Sequence, residues 1–324
     1  MTAATPPTGD VQFFPLAEWS VVEVRGADRQ AFLNKFCTND LAPLQAGQGA
    51  ETFFTDVKGK VLAHAIAAIG DEAVRLVTAP GQALGLIAHL DRYCIREQVE
   101  FVDATATTQA WHLWGPGVEA AVARAAGGTS SLPQTQWQCG TVSIGGAEAA
   151  LQRFPLGELP SWLAISLRDR AECVERSLRD AGATLASGAV WDALRIEAGW
   201  PLFGVDFGPD ALPQEVGRDS VAISFRKGCY LGQETVARID ALGHVNRRLA
   251  AVLFAAGTTG VAVGDELHAG GKSVGRLTSL CDSPRYGRPL GLAMLRREAH
   301  VPGARLECGA ALAEVIATPG DAPE

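Results

Sequence analysis

The apolar positions sort the chain into short alternating runs and a few helical ones. Trp19 to Val24 (WSVVEV) is short and β-branched and predicts a strand, which Gly26 ends. Ala27 to Phe36 follows with helical spacing, Phe32 and Phe36 lying four apart. Phe53–Thr55, Val61–Ala68 and Ala73–Thr78 predict three more strands. The Asp56–Gly59 tetrapeptide (DVKG) supplies the first turn between them and the Gly70–Asp71 pair the next. Pro80 suits the first turn of a helix that runs to about Tyr93. A similar order then recurs. Trp111–Trp114 is strand-like, Gly115–Pro116–Gly117 breaks it, Val118–Ala126 is an Ala-rich helix and Leu163–Leu167 is another strand. Asp169 and Glu172 have the spacing of an acidic capping box. Ala171, Val174, Leu178 and Ala181 continue at helical spacing, and Gly182 stands where a C-cap belongs. Strand–helix–strand units repeated in this way imply α+β subdomains built on antiparallel sheets.

The texture changes from about Leu249. Leu249–Phe254, Ser273–Leu280, Leu290–Leu295 and Ala311–Ile316 are short alternating segments divided by Gly or Pro. Such spacing predicts a small antiparallel barrel of about 70 residues. The expected division is therefore 1–247, holding two α+β subdomains, and 248–324, the C-terminal barrel. Residues 1–10, rich in Pro, Thr and Gly, are expected to fray.

Composition narrows the function classes. A chain of 324 residues exceeds one simple core. No apolar run approaches the roughly 18–20 residues that span a bilayer, so no membrane partner is expected. The first residues lack a basic region and an apolar stretch, which leads to the expectation of a cytoplasmic protein. The net charge of −8 argues against strong direct nucleic-acid binding, which needs a basic surplus. Arg247–Arg248 and Arg296–Arg297 read as solvated faces. The seven cysteines are widely spaced, with no C-x-x-C and no zinc-type Cys/His cluster. No self-contained metal or iron–sulfur site is expected, and most thiols read as small core residues in a reducing compartment. No glycine-rich nucleotide loop follows a strand.

The outstanding segment is Lys227–Glu234, KGCYLGQE, followed by Thr235 to Arg238. Gly228 and Gly232 permit tight turns or close approach to a ligand. Cys229 has two readings here: a thiolate favoured by the neighbouring Lys227, or a buried thiol in a turn with its Lys in water. The segment resembles the signature of the YgfZ family, which includes the mitochondrial Iba-type iron–sulfur assembly factors. Val24–Leu41, Thr55–Ala67, Trp191–Phe207 and Leu212–Tyr230 resemble further segments of that family. The resemblance covers nearly the whole chain. It is weaker over 125–160 and in the barrel.

The resemblance implies a T-protein-like fold: three subdomains in a ring around a central channel that binds tetrahydrofolate. Trp19 and Trp191 then match folate-site tryptophans, and Glu197 matches an acidic residue that contacts the pterin. The chemistry is sensible. Stacking on indole adds about 0.5–1.5 kcal/mol beyond area burial, and a carboxylate accepts strong bonds from the pterin's N–H groups. Arg238 and Lys227 are candidates for the anionic tail of folate, and Tyr230 and Gln233 of the signature complete the set. Cys229 and Lys227 form the candidate catalytic pair.

One departure from the T-protein pattern is expected to matter. Aminomethyltransferases carry an essential Asp in the hairpin. Alignment through Gly59, Lys60, Val61 and Leu62 puts Ala63 there, followed by His64. Alanine cannot handle a proton, so loss of aminomethyl transfer is expected. His64, pointing to the opposite face, reads as a half-buried strand histidine. Two functions remain. One is a monomeric, folate-dependent accessory factor for iron–sulfur protein maturation or repair, serving client proteins or the assembly machinery and supporting tRNA modification indirectly. The other is a folate-dependent one-carbon transferase or demethylase.

Overall fold

The computed structural model describes residues 11–128 and 132–317. The expected fraying of residues 1–10 lies outside them, as does the end of the 248–324 barrel region. The chain begins β1 (Val11–Pro15), β2 (Ser20–Arg25), α1 (Arg29–Asn34), β3 (Gly49–Thr55), β4 (Val61–Ile69), β5 (Ala73–Thr78), α2 (Ala83–Asp91) and β6 (Glu100–Asp103). It continues through β7 (Thr108–Trp114), α3 (Val118–Ala125), β8 (Cys139–Ile144), β9 (Ala147–Arg153), β10 (Ser161–Leu167), α4 (Ala171–Asp180) and β11 (Ala183–Leu185). Three helices follow: α5 (Gly188–Glu197), α6 (Asp219–Ala222) and α7 (Gln233–Leu242). The last run is β12 (Arg247–Phe254), β13 (Glu266–Ala269), β14 (Lys272–Ser283), β15 (Arg288–Arg296), β16 (Arg305–Cys308) and β17 (Ala311–Ile316).

These elements make two open sheets and one closed barrel. The first sheet has the order β3-β4-β5-β2-β6 and is antiparallel throughout. Strand periodicity divides its residues between two faces. Phe54, Ala63, Ala65 and Ala67 pack with Phe32 and Leu33 of α1 and Leu86 and Leu90 of α2. Ile66 and Val77 face the other way. The second sheet has the order β11-β1-β7-β10-β9-β8. Its β1–β11 pair is parallel, an exception to the all-antiparallel expectation. Phe13, Trp111, Leu113 and Trp162 are covered by α3 and α4 through Val118, Val122, Val174 and Leu178. Its other face carries Trp114, Leu163 and Ile165, which join Ile66 and Val77 of the first sheet and Trp191 of α5 in one central cluster. The two sheets thus bury their helix-free faces against a shared aromatic seam.

The barrel closes in the order β12-β15-β14-β13-β16-β17. Leu249, Ala251, Leu290 and Leu292 on its outer wall receive Ile196 of α5. A buried polar group locks the same junction. Arg195 donates to Asp192 at 2.7 Å, to Asp206 at 3.0 Å and to the Ser279 hydroxyl of β14 at 2.9 Å. Asp206 also accepts from the Thr278 hydroxyl at 2.8 Å, and Ser279 binds it as well.

The sequence places most elements within a few residues, and the exceptions have local causes. The capping box expected at Asp169 and Glu172 is absent: a 3-10 turn over Arg168–Arg170 precedes α4, whose N-cap is Arg170 with no side-chain cap. Gly182 does follow that helix in the left-handed region, at φ +89°. Helix α2 starts at Ala83 rather than Pro80 because Gly81 turns the chain at φ +76°. Its first amides are capped from a distance, the Ser20 hydroxyl accepting from the N–H groups of Gln82 and Ala83 at 3.0 and 3.2 Å.

Removing one partner of a buried ion pair costs about 3–5 kcal/mol, because the other charge is stranded. Arg195 and Asp206 are both buried, so Asp206→Ala is expected to lose stability on that scale. Urea unfolding of the full chain checks this. A change under about 1 kcal/mol would show that the junction does not depend on the pair.

Candidate functional site

The central seam opens into a narrow cleft walled by Trp19, His64, Ile66, Val77, Ala79 and the Trp200–Phe203 segment. Its tryptophans are set by aromatic packing. Trp19 meets Trp191 edge-on, with ring centroids 6.0 Å apart. Trp191 is stacked on Phe14 at 5.4 Å and gives its indole N–H to His112 Nδ1 at 3.2 Å. Trp191 is therefore not on the cleft wall. One of its faces and its donor are already committed, and it serves as the support behind Trp19. Trp200, three residues beyond Glu197, takes the wall position instead.

His64 is the polar member of the wall. Its ring lies between Phe53, at 4.7 Å and 24°, and Trp200, at 5.2 Å and 29°. The β3–β4 register pairs Phe53 with His64 and Glu51 with Ile66, which makes Glu51 a diagonal neighbour of His64 on one face. His64 Nε2 lies 2.8 Å from Glu51 Oε1. Arg218 donates to both oxygens of the same carboxylate, Nε at 2.8 Å and Nη2 at 2.6 Å, and lies 4.8 Å over the Trp200 ring. Burial of Glu51 opposes its ionisation, but the Arg218 charge and hydrogen bonds, with those of His64, outweigh it and hold the carboxyl at about 2. Glu51 is thus an obligate acceptor, and the His64 proton shared with it sits on Nε2.

This geometry changes the reading of the hairpin. Ala63 is fully buried beneath α1 and α2, and His64 is the one that faces the cleft. The sequence reading of His64 as an ordinary strand histidine is corrected: it is buried, paired with a carboxylate and part of the wall. Glu51, Trp200 and Arg218 were not singled out from sequence. The available signal was a lone carboxylate among the aromatics of ETFFT, but the strand was begun at Phe53.

Glu197 lies away from this wall. Its Oε1 accepts from the Arg285 amide at 3.0 Å, in the β14–β15 connection, and from the hydroxyl of Ser283, which ends β14. In this state its bonds tie α5 to the barrel.

The KGCYLGQE segment is a separate construction, and Lys227, Cys229, Tyr230, Gln233 and Arg238 all lie off the cleft wall. Lys227 is buried, and its three donors go to the carbonyls of Asn34, Cys37 and Asn39 at 2.8, 2.8 and 2.7 Å. They tie down the chain leaving α1. The thiol nearest the ammonium is Cys37, at 3.8 Å, so the expected tuning of Cys229 by Lys227 is replaced by a structural clamp. Burial pushes the Cys37 thiol up despite that charge. Tyr230 is buried with its ring 5.1 Å from the Lys227 ammonium, and burial pushes its hydroxyl up. Gly232, at φ +83°, lies so close to the Asp56–Gly59 turn that a Cβ would stand 2.4 Å from the Asp56 carbonyl oxygen. Gln233 opens α7, and Arg238 is exposed on it. Cys229 is exposed, whereas the other six cysteines are buried or half-buried, and all seven are free.

Among the described residues, no group of three or more His, Cys, Asp or Glu is placed to hold a metal, and no helix is long and apolar enough to cross a membrane. An open groove also lies between the first body and the barrel, lined by Lys60, Asp210, Glu215, Asn246, Arg247, Arg296 and Glu298. Arg247 is already paired there with Asp210 and Glu215, so the groove is mixed in charge rather than an anion site.

Two α+β bodies, a closed C-terminal barrel and an aromatic cleft between the sheets define a T-protein-like class. The family model for the GCVT N-terminal domain matches residues 9–227, and that for the glycine cleavage T-protein C-terminal barrel domain matches 247–323. The chain is 28% identical to the tRNA-modifying protein YgfZ of Sodalis glossinidius, over 78% of this chain and 74% of that one. It is 25% identical to the mitochondrial aminomethyltransferase of Flaveria anomala, over 91% and 74%. The fold matches the crystal structure of aminomethyltransferase T from Bartonella henselae with a TM-score of 0.82 at 18% identity, covering 96% of this chain and 86% of that one. The chain belongs to the GCVT family, as a GcvT-like protein of YgfZ type.

Two sets of measurements follow from these contacts. Lys227→Met strands three buried carbonyls and is expected to destabilise by about 2–4 kcal/mol at about 1–3 kcal/mol for each unsatisfied group, tempered by water entry. Cys229→Ser, at an exposed thiol, is expected to stay within about 0.5 kcal/mol. Equal unfolding midpoints for the two variants would contradict the clamp. The second concerns pH. Burial holds His112 down at about 3, against an ordinary value of 6.5. Between those values the unfolded chain binds a proton that the folded chain refuses, so His112 makes stability rise with pH across that window. From pH 6.5 to pH 5 its share is about 2 kcal/mol, at about 1.4 kcal/mol per unit. Below 4.5, Glu51 adds a loss of the same sign. Urea midpoints at pH 7.5 and 5.0 are expected to differ less in His112→Asn than in the wild type. An equal difference would assign the acid sensitivity elsewhere.

Proposed function

We propose that this protein binds tetrahydrofolate in the cleft between its sheets and acts as an accessory factor in maturing or repairing iron–sulfur proteins. Support for tRNA modification would follow indirectly, through an iron–sulfur client. The observation that carries the reading is the build of KGCYLGQE. Lys227, Tyr230 and Gly232 are fixed in place by packing and hydrogen bonds, and Cys229, beside Gly228, is left exposed at the turn they hold. A turn held this firmly presents a thiol without contributing to the core. The relation to YgfZ, named as tRNA-modifying, points the same way.

The walls of the cleft have the chemistry of a site for a flat heteroaromatic head, although its free volume of about 10 Å³ means that it has to widen to admit one. Trp19 and Trp200 supply apolar walls, His64 supplies a polar atom, and the Pro201–Phe203 backbone borders the rest. Glu197 reaches a pterin only if it exchanges its bonds with Ser283 and Arg285. Folate's anionic tail would run toward solvent, where Arg238 is available and Lys227 is not. In this reading the protein works as a monomer in the cytoplasm, meeting client proteins or the assembly machinery through the Cys229 turn.

The His64–Glu51 pair favours a second reading, a one-carbon transferase or demethylase, because a cleft-facing imidazole backed by a carboxylate is equipped to move a proton. Turnover of tetrahydrofolate with methylated amines would support it.

The deciding experiment is complementation of a strain lacking its YgfZ. Cys229→Ser is expected to fold, to bind tetrahydrofolate as the wild type does, and to lose complementation. Full complementation by a folded Cys229→Ser protein would remove the thiol from the function.

A further inference from the structure

His64 has one ring nitrogen that the protein leaves free. Nε2 is shared with Glu51, whose carboxylate is fixed in the ionised form by the bidentate Arg218. Glu51 can only accept, so in the neutral imidazole Nε2 carries the proton and Nδ1 carries a bare lone pair. No protein group among the described residues donates to Nδ1, and the imidazole forms part of the cleft wall. The ring cannot readily swing to offer a different atom. It is stacked between Phe53 and Trp200, and Arg218, which orients Glu51, lies over Trp200 in turn. The result is a preoriented hydrogen-bond acceptor on the wall of a mostly apolar slot of about 10 Å³, which widens to admit a ring.

We propose that His64 is the specificity-determining residue of this cleft, accepting a hydrogen bond at Nδ1 from a ring N–H of the ligand and so selecting the reduced pterin over the oxidised one. The inference rests on the folate reading above and deepens it. A tetrahydropterin carries N–H groups at positions 5 and 8 of its ring system. The fully oxidised ring carries bare nitrogens at both. Against the reduced ring the Nδ1 lone pair meets a donor. Against the oxidised ring it meets another lone pair in a site with little water to intervene. A site built to accept a hydrogen bond rejects the analogue that lacks the donor by leaving its own buried polar atom unpaired. Glu51 is a positioning residue in this scheme. It fixes the tautomer that keeps Nδ1 an acceptor, and it touches no ligand atom itself. No bond is made or broken, so the selection needs no co-reactant.

Anaerobic calorimetric titration of the full-length protein with tetrahydrofolate and with folic acid tests the proposal. The wild type is expected to bind tetrahydrofolate at least about tenfold more tightly, the scale of one hydrogen bond and its lost alternative. His64→Phe keeps an aromatic ring between Phe53 and Trp200 but removes the acceptor. It is expected to weaken tetrahydrofolate about tenfold and leave folic acid unchanged, which abolishes the preference. Equal weakening of both ligands, or of neither, overturns the assignment of His64 while the folate reading stands. Binding of neither ligand by the wild type overturns both. A measurement on the unaltered protein covers the case in which His64→Phe does not fold. In the nitrogen-15 spectrum of the histidine rings, the unprotonated Nδ1 of His64 should shift on adding tetrahydrofolate and not on adding folic acid. An Nδ1 signal indifferent to tetrahydrofolate at saturation, or moved equally by both ligands, also overturns the proposal.

Discussion

The buried pairing of Arg218 with Glu51 is the contact on which the centre of this molecule depends. It joins a residue of the first sheet to one far along the chain, just before α6. Neither charge tolerates burial alone. Once paired, they bring Arg218 and the Trp200 beneath it over the helix-free face of the sheet, where His64 is held between Trp200 and Phe53. That face would otherwise expose Phe53, and the cleft would lack one wall. The same logic recurs at the barrel, where Arg195 and Asp206 bury a second pair against Ser279. Two buried ion pairs, Arg218–Glu51 across the chain and Arg195–Asp206 within the connecting segment, thus fix that segment, on which both sheets and the barrel converge.

The KGCYLGQE segment shows how a short motif divides its residues between holding and presenting. Lys227 satisfies three backbone carbonyls that end α1 and its following turn. Gly232 lets α7 begin against the Asp56–Gly59 turn, where any side chain would collide with backbone. The Thr55 hydroxyl donates to the Leu231 carbonyl at 2.6 Å, and the Leu231 amide donates to the Lys35 carbonyl at 2.9 Å. The exposed thiol of Cys229 contributes little to packing there.

How much of this was legible in the chain follows from how local each signal is. Ala73–Thr78 and Ala311–Ile316 stand where the alternating pattern put them, because a half-buried strand writes its period into adjacent residues. Strands Glu266–Ala269 and Arg305–Cys308 were passed over, being four residues long and carrying charged side chains outward. Val11–Pro15 was missed too. It pairs with β7 and β11 of the second sheet, a partnership that no local pattern records. The site was less legible than the fold. Trp19, a candidate from the sequence, borders the cleft, but Glu51, Trp200 and Arg218 meet only through tertiary structure, and no spacing rule links them. Lys227 was found for the wrong reason: adjacency in sequence suggested that it acts on Cys229, whereas its reach carries the charge back to the carbonyls beyond α1.

The hairpin makes the period of a strand a functional matter. Side chains 63 and 64 differ by one step, and in a sheet one step exchanges core for cleft. Ala63 is small because α1 and α2 press on that face, together with Ala65 and Ala67. Its small side chain suits that packing. The neighbouring position, 64, faces the cleft, and the residue there is an imidazole held by a carboxylate. A comparison of this chain with a transferase that stops at Ala63 finds an absence. A comparison that respects the pleat finds a polar group facing the cleft, supported from behind by Glu51 and covered by Trp200.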